Sequence, residues 1–132
     1  MKNEIIHIIF HFSAPLIVTL FYILFFEVDV KNIFLIFIGA FFPDIDHLVY
    51  LKYKKNLKEF IKFNIFSDRF RKEFLIFHNV FSMFFLMFLT AIFSFFSIKL
   101  FLFSLSFLLH LIIDFIDDKF TIGTISHWKL GR

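Results

Sequence analysis

The sequence predicts an all-α fold: a polytopic membrane helical bundle of about four transmembrane helices plus an amphipathic cytoplasmic interfacial helix. Three observations predict it. Hydrophobic residues make up 60% of the 132 residues and charged residues only 19%, which departs from soluble domains in both directions. The apolar residues gather in long runs free of Lys, Arg, Asp and Glu, at 5–26 and again at 74–97. A bilayer core takes about 20 helical residues, and each run reaches that length. Finally, the basic residues concentrate in one segment and at the chain ends. The length fits a single domain, here a single integral membrane domain over 1–132.

The first span is expected at 5–26, with Pro15 inside it, which membrane helices tolerate better than soluble ones. No small-residue cleavage site follows this run, so a cleaved signal peptide is the poorer reading. A short polar turn leads to the second run, expected at 33–51 and interrupted at Pro43. Its first ten residues cover roughly half the core at about 1.5 Å each. A full crossing therefore has to continue past the proline, carrying Asp44, Asp46 and His47 to the interface. In segment 52–72 and just before it, Tyr50, Tyr53, Leu57, Phe60 and Ile61 recur at helical spacing, and Lys52, Lys54, Lys55, Lys58 and Lys62 take the other face. That pattern suits a helix lying on an anionic membrane surface. Spans three and four are expected at 74–97 and 100–117, joined by a tight turn at Ile98 and Lys99. Counting Lys and Arg in short loops orients the chain with both termini cytoplasmic: only Lys31 and Lys99 fall on the outer side.

On that topology all six histidines, His7, His11, His47, His78, His110 and His127, fall on the cytoplasmic side, at the level of Asp44, Asp46, Asp114, Asp117 and Asp118. Ionisable groups inside a membrane are costly, so such a layer is a functional site by default. The spacings suit metal ligation. His110 and Asp114 stack one turn apart on a helix, as do His7 and His11. The run Pro43-Asp44-Ile45-Asp46-His47 packs three potential ligands behind a helix-breaking proline. Imidazole with carboxylate suits Zn²⁺, Mn²⁺ or Fe²⁺.

Other chemistries are excluded or find no support. The chain has no Cys, which excludes disulfides and thiolate chemistry. There is no nucleophile elbow or Gly-rich phosphate loop. The basic segment is better explained by a bilayer surface than by nucleic acid.

The histidine of the first span, the Pro-Asp-x-Asp-His run at 43–47, His78 and the His110-x₃-Asp114 pair together resemble the YdjM-like family of membrane-bound metal-dependent hydrolases. The resemblance covers nearly the whole chain. It implies that Asp44, Asp46, His47, His78, His110 and Asp114 are metal-site residues, with either His7 or His11 matching the family's first histidine. Where the family has His-Arg-Gly-x-Thr-His-Ser, this chain has Glu73-Phe74-Leu75-Ile76-Phe77-His78-Asn79. Glu73 thus stands in place of a histidine, and Glu also ligates metals and acts as a base. The expected activity is attack of water on a lipid or phosphoester substrate at the headgroup level, with a divalent ion as cofactor and Asp46 or Glu73 as general base. The alternative is a non-catalytic metal-binding, structural or assembly protein of the membrane.

Overall fold

The computed structural model describes residues 2–46 and 76–122, and side chains at 9–46 and 76–120. The described residues are helical, with no strand among them. Four helices follow one another: α1 (Lys2–Phe25), α2 (Val30–Phe41), α3 (Val80–Phe96) and α4 (Ile98–Asp117), with a π-helical turn, Asp118–Ile122, closing α4. The expected interfacial helix at 52–72, together with His47, Glu73 and His127, lies outside the described residues.

Helix α1 runs through Pro15, which is fully buried. The turn at 26–29 is knotted by Tyr22. Its hydroxyl donates to the Glu27 carbonyl (2.6 Å) and accepts from the Asp29 amide and from Asn32 Nδ2 (both 2.9 Å). Asp29 caps α2 by accepting from the Lys31 amide at 2.9 Å, which satisfies one of the donors a helix start leaves open.

Helix α2 stops at Phe41, two residues before Pro43, where proline has no amide to donate and restricts its neighbour. Residues 43–46 form a single 3₁₀ turn. Within the described residues, the expected second span is therefore α-helical as far as Phe41, and Asp44 and Asp46 lie on a turn at the helix end.

Helix α3 starts at Val80, later than the apolar run suggests, because Asn79 turns the chain. Its side chain accepts from the Ser82 amide at 2.9 Å, and Ser82 Oγ donates to the Ile76 carbonyl at 2.6 Å. The α3–α4 connection is one residue, Ser97, which ends one helix and caps the next.

Helix α4 is the centre of the bundle and packs on α1, α2 and α3. Val18, Tyr22, Ile36 and Leu102 form one core where α1, α2 and α4 meet. Leu86, Phe107, Leu108 and Leu111 form a second between α3 and α4. Gly39 lets α2 lie directly on the backbone of α4, where a Cβ would run into the Phe103 carbonyl.

Polar residues share the interior with these apolar cores, and large apolar residues face outward. Asn32, Thr90, Ser104, Ser106, His110, Asp114 and Asp117 are buried, while Leu16, Leu20 and Leu24 of α1 and Phe81, Phe84, Phe85 and Phe88 of α3 are exposed. By length and composition, one helix among the described residues, Ile98–Phe120, suffices to cross a membrane; Ile9–Phe25 and Val80–Phe96 are shorter apolar helices.

Candidate metal centre

Four elements bring the site together at one end of the bundle. His11 comes from α1, Asp44 and Asp46 from the turn that ends α2, and His78 from the bend before α3. His110 and Asp114 come from successive turns of α4. At about 1.5 Å per residue, His110 lies roughly 18 Å along α4 from its start, so the site belongs to the far end of that helix. A ring cluster locks the two loops in place. Phe42, Phe77 and Phe107 meet pairwise with centroids 5.4–5.7 Å apart. Phe42 is two residues before Asp44, and Phe77 is the residue before His78.

His11, Asp44, His110 and Asp114 each offer a ligand atom, and these atoms all lie within 4.8 Å of one another. His11 Nε2 is 3.0 Å from Asp44 Oδ2, and its Nδ1 is 3.5 Å from Asp114 Oδ1. His110 Nε2 is 3.0 Å from Asp114 Oδ2 and 3.4 Å from Asp44 Oδ1. The His11 and His110 rings meet edge to face at 4.6 Å. His110 is fully buried, whereas the His11 and Asp44 side chains are 23% and 25% exposed. The group is thus closed on the α4 side and open at His11 and Asp44.

The donor set fits a divalent ion. His110 is the decisive residue: both ring nitrogens are buried without a hydrogen bond. Although Nε2 lies close to two carboxylates, its contacts do not have hydrogen-bond alignment. A buried polar group normally finds a partner, and an ion shared with the two carboxylates meets that requirement at Nε2. The spacings agree. Ligand atoms ~2.1 Å from a shared ion stand about 3.0 Å apart at a right angle and about 3.4 Å apart at the tetrahedral angle. The His11 Nε2–Asp44, His110 Nε2–Asp114 and His110 Nε2–Asp44 separations of 3.0–3.4 Å fall in that range, within a group that spreads to 4.8 Å overall.

All four residues are among those the sequence singled out. The remaining candidates divide. Asp46 and His78 stand beside the group: Asp46 binds His78, and His78 Nε2 reaches Asp114 Oδ2 at 3.1 Å. His7 lies on α1 at a position whose side chain is outside the described residues. Asp117 is buried one turn beyond Asp114. The sequence reading overlooked Asn79, also buried, which shapes the bend that presents His78. Its signal was an Asn three residues before a Ser inside an apolar run.

Fold and site together define a helical protein with, among the described residues, one helix able to cross a membrane and a His/Asp group able to hold a metal ion. In comparisons with known proteins, no family model matches the chain, and no curated protein and no solved structure matches it.

Proposed function

We propose that this chain is a multi-pass membrane-bound metal-dependent hydrolase whose centre is built from His11, Asp44, His110 and Asp114. The observation that carries this reading is His110, fully buried between two carboxylates with no hydrogen bond on either ring nitrogen. The resemblance to the YdjM-like family supports the same reading. A divalent ion (Zn²⁺, Mn²⁺ or Fe²⁺) held there supplies Lewis acidity toward water and toward an ester or phosphoester oxygen.

The chain's own residues supply the rest. Asp114, nearly buried, touches three imidazoles and anchors the group from α4. Asp44 and His11 form its accessible edge and receive the substrate. Glu73 remains the sequence-based candidate for the general base. The contacts made by Asp46 suit a supporting role.

The multi-pass arrangement is supported by the outward Leu and Phe faces of α1 and α3, since a soluble monomer rarely exposes contiguous apolar faces of this kind. The distribution of Lys and Arg supports cytoplasmic termini and, with them, a centre at the cytoplasmic headgroup level, where a lipid or lipid-linked phosphoester presents its polar group.

The experiment is turnover by detergent-purified, metal-loaded protein against a panel of aryl phosphoesters, aryl esters and phospholipids. Chelator-sensitive release that is lost in His110→Ala supports the hydrolase. A protein that binds metal and releases nothing across the panel defeats it. That outcome favours the alternative of a non-catalytic centre, because the four side chains also tie α1, α2 and α4 together.

A further inference from the structure

Resting on the proposed metal centre, a second set of contacts assigns a distinct task to Asp46. Its Oδ2 accepts from the backbone amides of Phe77 (3.0 Å) and His78 (3.4 Å). Both its oxygens lie 3.1 Å from His78 Nδ1. The partners are more than thirty residues apart in sequence, so these bonds hold the bend before α3 against the turn after α2. His78 is buried, and its other nitrogen, Nε2, lies 3.1 Å from Asp114 Oδ2.

An ionised carboxylate only accepts hydrogen bonds. Nδ1 facing Asp46 therefore carries the ring proton. In the neutral ring Nε2 is then a lone pair, and it faces a second acceptor, Asp114 Oδ2. Two acceptors at this distance repel unless a cation lies on the same oxygen or a second proton sits between them. That oxygen is also the one nearest His110 Nε2, at 3.0 Å, so two imidazoles converge on one carboxylate atom. Histidines that ligate metals characteristically give their other ring N–H to a carboxylate, which fixes the tautomer and the ring direction.

We infer that Asp46 is a positioning residue, which holds His78 in its Nδ1–H tautomer and thereby adds His78 Nε2 to the metal-holding group. Asp46 is then neither a ligand nor the base, although it is only two residues from Asp44.

The test is Zn²⁺ affinity, measured by chelator competition on the full chain in detergent for the wild type, Asp46→Asn, His78→Ala and the double variant. Asp46→Asn is expected to weaken binding about 10–100-fold, the usual loss for an orienting partner, with stoichiometry unchanged. In the His78→Ala background the same substitution is expected to change affinity by less than about twofold, because the two residues act as one unit. Equal losses in both backgrounds overturn the inference and leave the metal centre standing. A wild type that binds no Zn²⁺ overturns both.

A second measurement needs no variant at Asp46. In the Zn²⁺-loaded wild type labelled with ¹⁵N-histidine, the resonances that vanish in His78→Ala are expected to show a protonated Nδ1 and an Nε2 without hydrogen. A proton on both nitrogens, or on Nε2 alone, refutes the inference. A merely structural loss of packing does not produce the predicted tautomer.

Discussion

Replacing Gly39 with alanine sets a methyl group against the backbone of α4, and the consequence reaches the metal centre. The added Cβ would lie 3.0 Å from the Phe103 carbonyl carbon and 3.1 Å from its Cα, with the carbonyl oxygen nearer still. Carbon contacts settle at about 3.5–4.0 Å, so α2 and α4 must part by roughly 0.5–1 Å. The obstacle is backbone on both sides and cannot swing away as a side chain would. Overpacking of this kind costs about 1–3 kcal/mol.

Asp44 is five residues beyond Gly39, on the turn that ends α2, and its oxygens stand 3.0 and 3.4 Å from His11 and His110. Moving α2 outward lengthens both separations, and a carboxylate shifted by that much no longer reaches an ion that the other ligands hold at about 2.1 Å. The assay pairs thermal unfolding in detergent, followed by circular dichroism, with Zn²⁺ affinity. Gly39→Ala is expected to melt earlier and to bind Zn²⁺ at least tenfold more weakly. Wild-type stability with wild-type affinity would refute the close approach of α2 to α4 and its link to the site.

Three further outcomes are expected. Tyr22→Phe takes a partner from the exposed Glu27 carbonyl and Asp29 amide, which turn to water, and from the buried Asn32 Nδ2; stranding that buried donor costs about 1–3 kcal/mol, read as a lower melting temperature with Zn²⁺ affinity unchanged. Zn²⁺ at about one hundred times its Kd adds roughly 2.7 kcal/mol to the wild type's stability, which excess chelator removes and His110→Ala never gains. Lys31 and Lys99 lie together at the end of the bundle remote from the centre; since the native chain has no Cys, Lys31→Cys and Lys99→Cys report topology cleanly. A membrane-impermeant thiol reagent is expected to label both from outside intact cells, and labelling from the cytoplasmic side alone contradicts the orientation.

Much of this arrangement is legible in the sequence. The apolar runs mark all four helices, and Pro43 marks the end of α2. The His110-x₃-Asp114 spacing puts two ligands on one helix face, and the structure keeps them there. Helix bounds are less legible where apolarity masks a cap: in the run from 74 onward only the Asn79 and Ser82 spacing signals that α3 is delayed to Val80.

The division of labour between Asp44 and Asp46 is beyond a linear reading. A 3₁₀ turn has about three residues per turn, so residues two apart point roughly 240° around its axis. Asp44 therefore faces α1 and α4, while Asp46 faces the bend at 77–78. His7 and His11 share a helix face by spacing. It is the packing of α1 against α4 that brings His11, one turn deeper, to the level of His110.

The most direct test is the metal content of the protein purified in detergent without chelator, measured by elemental analysis for the wild type, His110→Ala and Asp114→Ala, with helical content and monodispersity checked for each. The expected result is about one Zn²⁺, Mn²⁺ or Fe²⁺ per wild-type chain and a near-complete loss in both variants. Sub-stoichiometric metal in the wild type, or equal metal in all three, contradicts the account.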